Sequence, residues 1–109
     1  MAFKKLASRS FTMNFWLPLV IDVRETDEVS QGKIPSAVSV PRGILELKIE
    51  KLVTPESDRP LVLYCAGGLR SIMAASSLVG MGYDKSKIRS LQGGYGAWVK
   101  QGFSVESKQ

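Results

Sequence analysis

Short apolar runs alternate along this chain with stretches of helical spacing. Leu61-Val62-Leu63-Tyr64, directly after Pro60, is apolar at every position, as expected of a strand covered on both faces. Leu17 to Val23 has the same character around Asp22 and predicts a second buried strand. Val38-Ser39-Val40 predicts a short strand ended by Pro41, and Ile88 to Leu91 a last strand. Thr26 predicts the cap of a short helix through Val29, with Glu28 a solvated residue on it. Leu45, Ile49 and Leu52 predict a further helix stopping before Pro55, and Pro55 to Pro60 a turn-rich loop. Ser71 opens another helical stretch, with Ile72, Ala75, Ser76 and Val79 on one face and Gly80 and Gly82 at its end. Gly93-Gly94 predicts a turn, and Tyr95 to Gln101 a short helix closed by Gly102. Strands alternating with helices imply an α/β fold: a mostly parallel central sheet with helices on both faces. Ligands of such sheets bind at the carboxyl ends of the strands, where both Asp22 and Cys65 fall.

Composition narrows the chemistry. The 109 residues suit one domain with a core that needs no disulfide staples. We divide them into an N-terminal tail or packed extension, 1–18, and a domain, 19–109. No apolar run approaches the ~20 residues of a membrane span. The net charge of +5 is uneven: residues 1–21 carry +3 from Lys4, Lys5 and Arg9, and the remainder is nearly balanced. No Lys/Arg cluster is interleaved with aromatics, which argues against nucleic acid as a partner. There is no histidine, so the commonest general base and the commonest zinc ligand are both missing. A single cysteine excludes an internal disulfide and a cysteine-rich metal site; it fits a reducing compartment such as the cytoplasm. Residues 1–16, basic and acid-free with Phe3, Phe11, Phe15 and Trp16, read as irregular. They suit a packed helix or tail, or alternatively an organellar transit peptide. The pattern implies no cofactor and leaves both monomer and homodimer open.

The chemistry that remains centres on Cys65. It sits at the end of a predicted strand, in the loop Cys65-Ala66-Gly67-Gly68-Leu69-Arg70, before a helix that starts at Ser71. A loop of this kind can aim several backbone N–H groups at one anion. Those donors, the helix dipole and the positive charge of Arg70 should stabilise a thiolate and lower the thiol pKa. The plain alternative for a lone cysteine is an inert core residue, and the glycines and the strand–loop–helix setting weigh against it.

Four segments together make the chain resemble a single-domain rhodanese. They are Ile21-Asp22-Val23-Arg24-Glu25; Gly32-Lys33-Ile34-Pro35-Ser36-Ala37 with Val40-Pro41; Tyr64 to Ser71; and Gly93-Gly94-Tyr95-Gly96-Ala97-Trp98. The resemblance runs from about Leu19 to Gly102. It implies a sulfurtransferase in which Cys65 takes a sulfane sulfur from a small anionic donor such as thiosulfate. Cys65 then holds that sulfur as a persulfide and passes it to cyanide, a thiol or a protein thiol. The backbone N–H groups of Ala66, Gly67, Gly68, Leu69, Arg70 and Ser71 would form the cradle. Asp22 and Arg24 match the family's Asp-x-Arg element, either as support for the active-site region or as a structural ion pair. Ser71 is a candidate helix cap; Tyr95 and Trp98 are candidate pocket walls or core residues. The family usually has histidine where Lys33 stands and glycine where Ser36 stands, and we read that histidine as structural. The loop carries one cation, where some thiosulfate-preferring members have two.

Two rivals belong to other classes. Related folds carry cysteine-phosphatase loops with five residues between cysteine and arginine; here there are four, a smaller ring. A non-enzymatic binding module is the second, since many such domains persist as docking units; those typically lack the cysteine. A persulfide carrier dedicated to one protein partner would use the same sulfur chemistry.

Overall fold

The computed structural model describes the backbone of Lys5–Leu6 and residues 17–107. Five parallel strands form one sheet in the order β1-β5-β4-β2-β3. They are β1 (Lys5–Leu6), β2 (Leu19–Asp22), β3 (Val38–Ser39), β4 (Leu61–Tyr64) and β5 (Ile88–Leu91). The helices are α1 (Thr26–Val29), α2 (Leu45–Lys48), α3 (Leu69–Gly80) and α4 (Gly94–Lys100). Single 3-10 turns flank α2 at Arg42–Ile44 and Ile49–Lys51. No helix among the described residues is long and apolar enough to cross a membrane.

Strand alternation divides the core in two. Leu19, Ile21, Leu61, Leu63 and Ile88 face one side and pack with Leu45, Ile49, Ala74, Ala75 and Leu78 of α2, its following turn and α3. Val20, Val62, Tyr64 and Leu91 face the other and meet Ile34, Ala37 and Trp98. Both faces of β2 and β4 are therefore covered, which is why Leu19–Ile21 and Leu61–Leu63 run apolar without a polar beat.

Several local expectations change. Lys5–Leu6 pairs in parallel with β5, so the segment read as irregular contributes a strand to the sheet. Apart from Lys5–Leu6, the candidate transit segment, with its four aromatics, lies outside the described residues. Glu25, not Thr26, is the N-cap of α1. Leu52 is 39 % exposed, and Val53 takes the buried place expected of it. On α3 the buried residues are Ser71, Ala74, Ala75 and Leu78; of the expected face only Ala75 is buried. Small residues let this helix approach β4 and β5 closely, and they leave little apolar periodicity in the sequence. Ser36 adopts φ +68°, a left-handed conformation that favours glycine, matching the family's usual residue there. Lys33, at the family's histidine position, donates from Nζ to the Ala37 carbonyl at 2.7 Å, a bond within its own loop.

Candidate active site

The site is built where β4 ends. The chain leaves Tyr64 into Cys65, and the carbonyls of Cys65 and Ala66 turn toward the start of α4. There they accept from Tyr95 N (2.8 Å) and Gly96 N (3.0 Å). With the carbonyls held on that side, the following N–H groups are free to face inward. This approach depends on Gly94: at φ +60° a Cβ would overlap the Cys65 carbonyl oxygen and lie 2.8 Å from the Ala66 carbonyl. Gly68, at φ +111°, turns the loop into α3 and is its N-cap.

Cys65 is 1 % exposed and its sulfur is buried. The sulfur accepts from Gly68 N at 3.1 Å and Ser71 N at 3.4 Å, and it lies 3.6 Å from the Ser71 hydroxyl. Burial pushes the thiol pKa up. The Ser71 N–H and hydroxyl, with the N–H groups of Gly68 and Gly67, push it down, and the net direction is below the ordinary 9.0. A buried sulfur is thus poised toward the thiolate by neutral dipoles. Ala66, Gly67 and Leu69 lie at the exposed surface of the loop. Ser71 is not the cap of α3: it is buried one turn in, donating to the Gly68 carbonyl at 3.1 Å and sharing a 2.7 Å hydrogen bond with Ser90. Beside the loop lies a cleft of about 240 Å³ lined by Gly67, Gly68, Leu69, Ile72, Gln92 and Gly93.

Asp22 and Arg24 form a buried ion pair at the end of β2. Arg24 Nε and Nη2 reach the Asp22 carboxylate at 3.0 and 2.7 Å, and Nη2 also donates to the Gly32 carbonyl at 2.8 Å. The guanidinium packs on the Tyr95 ring at 4.1 Å. Burial disfavours its charge, but the Asp22 carboxylate more than offsets this and raises the pKa. The pair reaches the sulfur loop through Tyr95, whose N–H holds the Cys65 carbonyl. Trp98 is core, packed with Phe103, and donates from its indole N–H to the Ser104 carbonyl at 2.7 Å.

Arg70 turns to α1. Its Nη1 and Nη2 meet Glu28 Oε1 and Oε2 at 2.7 and 2.9 Å, a bidentate pair about one-third exposed on each side. Glu28 is therefore a partner of the site's cation and not a solvated helix residue. Its Oε1 also accepts from Glu25 N at 2.9 Å. The Arg70 hydrogen bonds hold the Glu28 carboxyl down at about 2, and Glu28 in turn raises the Arg70 pKa. Sequence reasoning missed Glu28, Ser90 and the close approach at Gly94. The first two lie 42 and 19 residues from the groups they bind, and no local spacing reports such a pairing. The Gly93-Gly94 doublet was a usable signal, since adjacent glycines also mark close backbone contact.

The Rhodanese-like domain family matches residues 5–101. The chain belongs to that family. It is 32% identical over 87 residues to a sulfurtransferase of Allochromatium vinosum, covering 80% of this chain and 77% of that protein. Among solved structures it resembles a rhodanese-related protein of Thermoplasma volcanium, with TM-score 0.84, 27% identity and coverage of 97% and 100% of the two chains. It also resembles a Rhodopseudomonas palustris protein of unknown function described as a possible tyrosine phosphatase. There the TM-score is 0.77 with 32% identity, over 95% of this chain and 85% of that one. The rhodanese-like α/β architecture expected from the four sequence segments is the architecture found.

Proposed function

We propose that this rhodanese-like domain is a sulfurtransferase of the thiosulfate:cyanide type that works through a persulfide on Cys65. The observation that carries the reading is the buried sulfur facing Gly68 N–H and Ser71 N–H, with the Ser71 hydroxyl beside it. The Cys65 thiolate attacks the outer sulfur of thiosulfate. A Cys65 S–S bond forms, the S–S bond of thiosulfate breaks, and sulfite leaves with the electron pair. Cyanide or a thiolate then attacks the terminal sulfur and takes it, and the Cys65 thiolate is restored. The inward N–H groups stabilise negative charge on the sulfur in both anionic states without contributing a competing proton. No imidazole is needed, because the loop itself favours the thiolate. With one cysteine, the persulfide has no resolving thiol in its own chain, so release depends on an external nucleophile. The four-residue loop between Cys65 and Arg70 favours a single sulfur over a tetrahedral phosphate.

Intact mass after thiosulfate incubation tests this. The protein should gain about 32 Da, the mass of one sulfur on the ladder of cysteine states, and cyanide should remove it as thiocyanate. Cys65→Ser should do neither; retained thiocyanate formation in that variant would rule out the site. Hydrolysis of an aryl phosphate without sulfur uptake would favour a phosphatase instead.

A further inference from the structure

The cations at the mouth of the site are already taken. Among the charged side chains of the Cys65–Ser71 loop there is Arg70 alone, and the cleft beside it is lined by uncharged residues. Arg24, the other nearby guanidinium, is buried and bonded to Asp22 and the Gly32 carbonyl. Both terminal nitrogens of Arg70 face the two carboxylate oxygens of Glu28. Glu28 is itself fixed by the Glu25 N–H at the start of α1, so the carboxylate does not depend on Arg70 alone for its position. An incoming anion therefore meets a neutral pair and not a free positive charge. The pair is about one-third exposed, so it can be opened by a competing anion at modest cost.

We propose that Glu28 is the specificity-determining residue of this site: by occupying Arg70 it competes with anionic donors, and it disfavours donors in proportion to their negative charge. This rests on the sulfur-transfer reading of Cys65. Thiosulfate, a dianion, must displace Glu28 to use the guanidinium. A monoanionic sulfane donor such as methanethiosulfonate has less to gain from Arg70 and loses less to Glu28. The resting site is then tuned toward sulfane donors of low charge.

Glu28→Gln removes the charge while its amide oxygen still accepts the Glu25 N–H. With cyanide as acceptor, it should lower KM for thiosulfate by about fivefold, the scale of a partly exposed ion pair. The fall for methanethiosulfonate should be about twofold, since the electrostatic gain scales with donor charge. KM should move more than kcat, and added sodium chloride should shrink the difference. Glu28→Asp, which keeps the charge on a shorter arm, should fall between. A binding readout needs no turnover: sulfate should protect Cys65 from iodoacetamide at lower concentration in Glu28→Gln than in the wild type. An unchanged or raised thiosulfate KM, an equal shift for both donors, or unchanged sulfate protection would overturn the proposal. If the wild type takes up no sulfur, the transfer reading fails, and sulfate protection still decides the role of Glu28. If Glu28→Gln does not fold, Glu28→Asp carries both measurements.

Discussion

The ends of β2 and β4 lie side by side, Asp22 in register with Tyr64, and each carries a buried polar group just where the strand stops. They satisfy that group in opposite ways. At β2 a full charge faces a full charge: Asp22 is 0% exposed, and Arg24 encloses its carboxylate with a further bond to the Gly32 carbonyl. At β4 the sulfur faces neutral dipoles, two backbone N–H groups and the Ser71 hydroxyl, and the loop's cation, Arg70, is held by Glu28. A fully compensated charge is inert and makes architecture. A sulfur stabilised by neutral donors keeps its nucleophilicity, because nothing at the site neutralises it. Under the proposed sulfur-transfer role of Cys65, burial alone does not separate the structural group from the reactive one; the kind of partner does.

The sharpest way to break this contrast is to remove one arginine from each region. Arg24→Ala strands a buried carboxylate and should cost about 3–5 kcal/mol of stability. Arg70→Ala removes a partly exposed pair and should cost about 0–1 kcal/mol. Urea unfolding midpoints measure both. Equal losses would mean that the two pairs do not differ in kind.

A second perturbation enters through the backbone that aims the loop. Gly94→Ala introduces a Cβ against the Cys65 carbonyl at a left-handed φ. It should destabilise by about 1–3 kcal/mol and slow alkylation of Cys65 at neutral pH, because the N–H groups no longer converge on the sulfur. Unchanged alkylation kinetics in a folded variant would show that α4 does not set the sulfur's environment.

The smallest effect is in acidity. The rate of Cys65 alkylation by iodoacetamide against pH should have its midpoint below the ordinary 9.0, and Ser71→Ala should move it upward. The sign for stability follows from a depressed folded pKa. The contribution is complete above the unfolded value near 9.0 and is lost as pH falls through the lower folded value. A midpoint at or above 9.0 would remove the neutral-dipole account.

Much of the molecule was legible in one dimension. The apolar runs at Leu19–Ile21 and Leu61–Tyr64 report strands covered on both faces, and Cys65 with its glycines reports a strand–loop–helix turn. These are local properties: allowed dihedrals, burial period and turn chemistry are encoded within a few residues. What lay beyond the sequence is what the strand order brings together. The sheet places α1 beside the sulfur loop and so pairs Glu28 with Arg70; it places β5 beneath α3 and so joins Ser90 to Ser71. The closeness of α3 to the strands made its alanines the buried face and hid the helical phase that larger side chains would have shown. Residue types fix which chemistry is available at this site. Only the packing of distant segments decides which charge stays free, because electrostatic partners are chosen by distance in space, and the chain order carries no record of that distance.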